Sequence, residues 1–353
     1  MNSPVNIDFP LVSILIPTYN SAAYLPAVCQ SIQNQTYSNF EVVILDDGST
    51  DQTMSVLAPF KKDSRFQIRS WSPNRGLNAA WREILTLARG KYWVSPGADD
   101  VLMPEFLQRR VALMEAHPEA VMAHGGVQLI NEKGDIIPNL FPQVDCPVQL
   151  GTQRALEMVL QHDIINQPSN VVRSDVTRKV LPYYVSDWKF SPDWHLWILL
   201  LSAGGDMLWD ARPSLQYRVH GNSLSRIPRL AAVRSAEIRL VPLCALKAAA
   251  AYSQLAHAEW LRWGATLYRL WLLRAARLRS KHELRQEWLD LAGEAYYGRS
   301  NRHLNLWHEL LKHGLGAVLA FSKQYRAVKK QSFRVSGLAE IDDPVFKMGA
   351  AGQ

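Results

Sequence analysis

Carboxylates gather at three places in this 353-residue chain. Asp46-Asp47-Gly48-Ser49-Thr50-Asp51 follows the apolar run Phe40 to Leu45, and Asp99-Asp100 follows Tyr92 to Ser95 after a short Pro96-Gly97-Ala98 link. Asp193 opens the segment Asp193-Trp194-His195-Leu196-Trp197. A carboxylate at the end of a strand accepts hydrogen bonds from a nucleobase N–H or from ribose hydroxyls, and a neighbouring glycine lets the backbone turn close to a ligand. Two adjacent carboxylates suit a hard divalent cation such as Mg²⁺ or Mn²⁺, which also takes diphosphate oxygens. Each cluster has a plainer use as well. Asp-Asp-Gly-Ser is turn chemistry, Asp51 suits a helix cap, Asp99 or Asp100 suits a cap of the helix after Pro104, and Asp193 suits an N-cap.

The elements that must position these residues alternate β-branched runs with helical patterns, which predicts a largely parallel sheet covered by helices. Strands are expected at Val12 to Ile16, Phe40 to Leu45, Phe66 to Trp71 and Tyr92 to Ser95, with helices at Ala22 to Asn34, Gln52 to Lys62 and Leu77 to Ala88. Asp51 is placed to cap the second helix and Gly90 to stop the third. Beyond Ala120 the order is less regular, with strands at Val121 to Ile130 and Leu215 to His220 and helices at Thr152 to Gln161 and Asp193 to Ser202, the last read as amphipathic. In such a sheet the segments Pro17-Thr18-Tyr19-Asn20 and Asp46 to Asp51 both fall at the carboxyl edge, where ligands bind.

Strand, Pro17-Thr18-Tyr19-Asn20, helix, strand and Asp-Asp-Gly-Ser-Thr-Asp follow one another here as in glycosyltransferase family 2. The resemblance extends through Ser31 to Tyr37, Asn74-Arg75-Gly76-Leu77-Asn78 and Ala88-Arg89-Gly90-Lys91-Tyr92, and covers roughly residues 10 to 225. It implies a nucleotide-binding GT-A (Rossmann-like) domain with a mainly parallel central sheet. It also implies an inverting transfer of a sugar from a UDP- or GDP-linked donor to the hydroxyl of a glycan or lipid-linked acceptor, as in polysaccharide, glycolipid or cell-envelope glycan synthesis. Pro17, Thr18, Tyr19, Asn20, Asp46, Asp47, Arg75 and Asp99 would bind the nucleotide-sugar. Asp99 and Asp100 would hold Mn²⁺ or Mg²⁺, with His220 of the Tyr217-Arg218-Val219-His220 segment as a further ligand. Asp193 stands where the family's Glu-Asp-Trp has its Asp, the general base that takes the acceptor's proton.

Three positions depart from the pattern. Gly97 replaces the first Asp of Asp-x-Asp-Asp, Pro192 stands where the Glu of Glu-Asp-Trp would be, and Trp81-Arg82 takes the place of an Arg-Asn pair. The first two favour an alternative in which the chain binds a nucleotide-sugar without turning it over, as a scaffold or partner subunit. A nucleotidyltransferase is disfavoured, because neither a glycine-rich phosphate loop nor GxGxxG is present.

The net charge of +7 is uneven. From Arg226 onward 21 Lys and Arg stand against 10 Asp and Glu, an excess of +11, whereas the part that carries the motifs is at −4. Residues 1–228 are therefore read as the catalytic domain and 229–353 as a basic α-helical C-terminal region, divided at Ser225 to Pro228. Within that region Ala258 to Arg279 carries Trp260, Trp263, Tyr268 and Trp271 beside five arginines, a pattern that suits either peripheral contact with an anionic membrane surface or packing in a homo-oligomer. Cys29, Cys146 and Cys244 form no CxxC pair, no run is long and apolar enough to span a bilayer, and the first ten residues lack a secretory pattern. A cytoplasmic protein, soluble or held at the inner face of the membrane, is expected, with no nucleic-acid partner. His303, His308 and His313 recur every five residues, off a single helical face, and receive no site.

Overall fold

The computed structural model describes residues 10–141, 148–161, 163–184, 188, 190–221, 237, 241–242 and 244–256. Two compact units divide the chain, Met1–Ala258 and Glu259–Gln353, and every described residue belongs to the first. Of the basic helical region expected over 229–353, residues 237, 241–242, 244–249 and 254–256 are helical; the rest, with the aromatic and arginine stripe of Ala258 to Arg279 and the three spaced histidines, lies outside the described residues or, at 250–253, outside the helix.

The first half runs β1 (Val12–Thr18), α1 (Leu25–Gln33), β2 (Phe40–Asp46), α2 (Thr53–Leu57) with a 3₁₀ turn over Ala58–Lys62, β3 (Phe66–Ser70), α3 (Leu77–Thr86) and β4 (Tyr92–Val94). Then follow β5 (Val101–Leu102), α4 (Phe106–Ala116), β6 (Ala120–Ile130), β7 (Ile136–Phe141), β8 (Val148–Leu150), α5 (Thr152–Gln161), β9 (Val171–Arg173), α6 (Ser174–Val180), α7 (Pro192–Ser202) and β10 (Asp206–Arg218). They form one ten-stranded sheet in the order β3-β2-β1-β4-β9-β6-β10-β5, with β7 beside β6 and β8 beside β10.

The strands β3, β2, β1 and β4 pair in parallel throughout. Past β4 the sheet is mixed: β9 runs antiparallel to both β4 and β6, while β10 is parallel to β6. The parallel half reads as continuous apolar sequence because helices cover both its faces, and all seven residues of β2 are buried. Two polar members of these strands, Ser13 and Glu41, are satisfied internally. Ser13 Oγ donates to Glu41 Oε1 at 2.7 Å, and the Arg89 and Gly90 amides that follow α3 donate to this pair. The end of α3 is thereby pinned to the middle of the sheet.

Several helices start later than their periodicity suggests. Helix α1 begins at Leu25, beside Pro26, and α2 ends at Leu57 because Pro59 cannot continue the α-helical ladder. Gln52, not Asp51, is the first-turn boundary residue of α2, yet Asp51 Oδ1 still accepts the Thr53 amide at 2.8 Å.

Helix α7 is not amphipathic. Every residue from Trp194 to Ser202 is buried, as expected of a helix apolar on all sides. It packs against α5, where the Trp194 indole donates to the Val159 carbonyl at 2.6 Å, and against the segment beyond β10, where Tyr252 Oη donates to the Leu199 carbonyl at 2.7 Å. Trp93 of β4 stacks on Trp197 with centroids 6.1 Å apart and meets Trp81 of α3 edge-on at 5.8 Å, so an aromatic wall joins α3, the sheet and α7.

Candidate active site

The carboxyl ends of β1 and β2 are laced together. Asn20, held at φ 49°, accepts the Thr50 amide on Oδ1 at 2.9 Å, and its own amide donates to Ser49 Oγ at 2.8 Å. Asparagine tolerates this left-handed conformation better than most residues. Asp46 and Asp47 are each 1% exposed. Asp46 Oδ2 accepts the Ser49 amide at 3.2 Å and the Ser70 hydroxyl at 2.9 Å. Asp47 accepts the amides of Arg75 at 2.6 Å and Gly76 at 2.8 Å, which places the loop before α3 beside the loop after β2. Gly48 has φ +70°, and a Cβ there would lie 2.9 Å from the Asn74 nitrogen, so the turn and the close approach both require glycine.

These bonds divide the expected nucleotide-binding residues into two sorts. Asn20, Asp46 and Asp47 shape the loops through their side chains. Tyr19 and Arg75 instead are exposed, Arg75 lying over the Trp71 ring at 4.6 Å, and Thr18 presents a buried hydroxyl with no partner among the described residues. Pro17 and Thr18 sit in β1 beside Leu45 and Asp46 of β2.

The second acidic cluster lies at the end of β4, next to β1 in the sheet. Ser95 Oγ donates to the Leu15 carbonyl at 2.7 Å, which fixes the start of the loop. Asp100 Oδ2 accepts the Gly97 amide at 3.1 Å and Oδ1 accepts the Arg218 amide at 3.0 Å, while the Arg218 guanidinium donates to the Asp99 carbonyl at 2.8 Å. His220 Nε2 lies 2.9 Å from Asp99 Oδ2, and the Tyr24 ring packs on the imidazole with centroids 5.1 Å apart. The structure thus brings Asp99, Asp100 and His220 into one place. Burial pushes the Asp100 carboxyl up to about 8, with the Asp99 charge adding to it.

Among the described residues no ready-made cluster of three or more metal-ligating side chains is present. The fit of a cation rests on Gly97. A Cβ at that position would come within 2.5 Å of Asp99 Oδ1 and 2.6 Å of Asp100 Oδ2, so the missing side chain leaves the two carboxylates facing each other across the glycine. Two crowded carboxylates with an imidazole nitrogen beside Asp99 are a hard-cation set, and a positive charge would relieve the cost of ionising Asp100.

Asp193 belongs to a different group of side chains. Ser191, not Asp193, is the N-cap of α7, and Asp193 Oδ1 accepts the adjacent Trp194 amide at 2.9 Å. Burial pushes its carboxyl up to about 6, with Glu237 adding to the rise. Asp163 is exposed, and the protein packed around it and the Asp193 charge raise its carboxyl above the usual range. The Tyr184 phenol is raised by burial and by Asp193. The loops that carry this group are tied to the rest of the site. Gln167 Nε2 donates to the Ser95 carbonyl at 2.7 Å, and the Asn78 side-chain amide of α3 donates to the Trp188 carbonyl. Neither Asp163 nor Glu237 stands in a motif, so their nearness to Asp193 has no local sequence signal.

Residues 13–149 match the family model for glycosyl transferase family 2. An uncharacterized glycosyltransferase of Haemophilus influenzae is 28% identical over 230 residues, covering 62% of this chain and 68% of that protein. Among solved structures, S. aureus TarS 1-349 in complex with UDP aligns with a TM-score of 0.58 at 15% identity over 94% of both chains. The same protein in complex with UDP-GlcNAc aligns with a TM-score of 0.57 at 17% identity over 80% of both. Residues 13–149, which hold the parallel strands and their carboxyl-end loops, thus resemble glycosyl transferase family 2, and the likeness to solved structures gives the chain a GT-A fold.

Proposed function

We propose that this protein transfers a sugar from a nucleotide-diphosphate donor to an acceptor hydroxyl by a single inverting displacement. The observation that carries this reading is the meeting of Asp99 with His220 and of Asp100 with Arg218, residues 121 and 118 positions apart in the chain, at the carboxyl edge that also holds the Asp46–Asp51 turn. The UDP and UDP-GlcNAc bound by TarS, a protein of like fold, support a nucleotide-sugar as the donor.

In this reading Tyr19, Arg75 and the unpartnered Thr18 hydroxyl contact the base and ribose, while Asn20, Asp46 and Asp47 hold the loops in shape. Asp99, Asp100 and His220 would hold Mn²⁺ or Mg²⁺, which when bound offsets negative charge on the diphosphate. Asp193 is the catalytic base. An acceptor hydroxyl is a weak nucleophile until its proton is withdrawn, and a carboxylate whose proton affinity is raised toward neutrality takes that proton more readily than an ordinary aspartate. Attack from the face opposite the departing nucleotide inverts the anomeric centre. The acceptor is a glycan or lipid-linked hydroxyl. Contact with a membrane or a second subunit is assigned to the basic residues beyond 256.

The test is thermal stabilisation by UDP-GlcNAc, UDP and GDP with and without Mn²⁺, paired with nucleotide release. Stabilisation by one nucleotide that weakens in Arg75→Ala, and release that is lost in Asp193→Asn with binding kept, supports the transferase. Binding without release on any acceptor supports the scaffold alternative, which Pro192 favours. Indifference to every nucleotide overturns both.

A further inference from the structure

Helix α7 begins without the means to cap itself. Its first residue, Pro192, has no N–H, and its boundary residue Ser191 makes no side-chain cap bond. The two amides immediately before the proline are nevertheless satisfied. Phe190 N and Ser191 N donate to Glu237 Oε2 at 2.7 and 3.1 Å, and Glu237 is only 6% exposed. This carboxylate comes from 46 residues beyond Ser191, outside the 13–149 stretch matched to the family. Its negative charge sits at the positive end of the α7 dipole, and charged acceptors form the stronger class of hydrogen bond.

We propose that Glu237 is a positioning residue for Asp193, supplying from a later segment of the chain the carboxylate that pins the start of α7 where Pro192 leaves that helix uncapped. Two consequences follow. The backbone from Phe190 to Trp194 is held in register, so the Asp193 side chain is presented from a fixed turn. Asp193 also loses its proton in the field of a second negative charge, which makes it a stronger base. The groups that face Asp193 are Glu237, Asp163 and Tyr184, and Arg82 in turn acts on Tyr184. Of the acidic ones only Glu237 also holds the helix by backbone bonds.

The inference rests on the transferase reading for its kinetic consequence but not for its structural one, and two measurements on the full chain separate them. The first is amide hydrogen exchange. Glu237→Ala should speed exchange of the peptide spanning Phe190 to Trp194 by about tenfold, the scale of a charge-assisted hydrogen bond, with peptides from β1 and β2 unchanged. Glu237→Gln, which keeps an acceptor oxygen, should stay near the wild-type rate. Wild-type exchange in Glu237→Ala overturns the proposal.

The second measurement is UDP release from UDP-GlcNAc as a function of pH. Removing the charge in Glu237→Gln lowers the proton affinity of Asp193, so the acidic limb should move to lower pH. With it kcat should fall and KM for UDP-GlcNAc should hold. An unmoved limb beside normal turnover overturns the proposal, and so does a fall confined to KM. If Glu237→Ala loses protection throughout the chain, Glu237→Asp decides: partial restoration of protection at Phe190 and Ser191 supports the positioning role, and protection no better than in Glu237→Ala overturns it. Absence of UDP release by the wild type counts against UDP-GlcNAc turnover alone, because the exchange result still decides the role of Glu237.

Discussion

At the ends of β1 and β2 the polar side chains find their partners close by in sequence. Asp46 bonds Ser49 three residues on, Asn20 bonds Thr50 30 residues on, and Ser21 bonds Thr53 32 residues on. Around α7 the partners are more distant and arrive from separate elements. Trp194 reaches Val159 across 35 residues, Phe190 reaches Glu237 across 47, Tyr252 reaches Leu199 across 53, and Trp93 of the sheet reaches Thr177 across 84. The contrast teaches that one site can be half motif and half assembly. Loops after neighbouring parallel strands are brought together by the sheet itself, whereas a buried helix takes its surroundings from whatever packs on it.

That contrast can be broken at several points. The largest effect is expected at the end of the assembled half. Asp193→Asn should cut nucleotide release by about a thousandfold, the scale of losing a general base, while thermal stabilisation by nucleotide stays at the wild-type level. In the motif half, Asp46→Ala removes the acceptor for the Ser49 amide and the Ser70 hydroxyl inside a buried turn. It should lower unfolding free energy by about 3 kcal/mol in urea titration and weaken nucleotide binding as well, because the same bonds shape the loop.

The pH dependence sharpens the division. As the proposed base, Asp193 would work only when ionised, and its carboxyl is raised to about 6, so kcat/KM should fall as pH drops below that value, approaching tenfold per unit. The sign for stability is opposite to that of a salt-bridged aspartate. With the folded value above the unfolded one, this group favours the folded state below the ordinary aspartate range, and that contribution is lost as pH rises through about 6. Arg75→Ala tests an exposed contact and should weaken nucleotide affinity by about tenfold with no change in melting temperature, since its side chain only covers Trp71. The smallest change is Tyr252→Phe, which deletes one bond to the Leu199 carbonyl and should cost about 1 kcal/mol by chemical denaturation with nucleotide binding intact.

Much of the motif half was legible before any coordinates. Apolar runs bounded by Pro17-Thr18-Tyr19-Asn20 and Asp46-Asp47-Gly48 mark β1 and β2 and their ends, since period and turn chemistry are local properties. What spacing could not distinguish is the use of each carboxylate. Asp47 has the same sequence context whether it meets a ligand or the amides of Arg75 and Gly76, and only the fold brings that loop to it. The apolar run Trp194 to Leu201 likewise reads as a helix, but its burial on every side depends on α5 and on the segment around Tyr252. Gly97 looked like a weakened metal motif. In the fold it is the position at which a side chain would collide with Asp99 and Asp100.

The sequence alone determined the strand, helix and turn pattern of the first hundred residues, the family they resemble and the aspartate at the head of α7, because these reside in short ordered strings of residue types. The tertiary structure decided which acidic groups are spent on backbone amides, that His220 meets Asp99, and that Asp163 and Glu237 come near Asp193. Those outcomes depend on contacts between segments many tens of residues apart. Such contacts are fixed by the packing of sheet, helices and loops as a whole, and no local pattern records them.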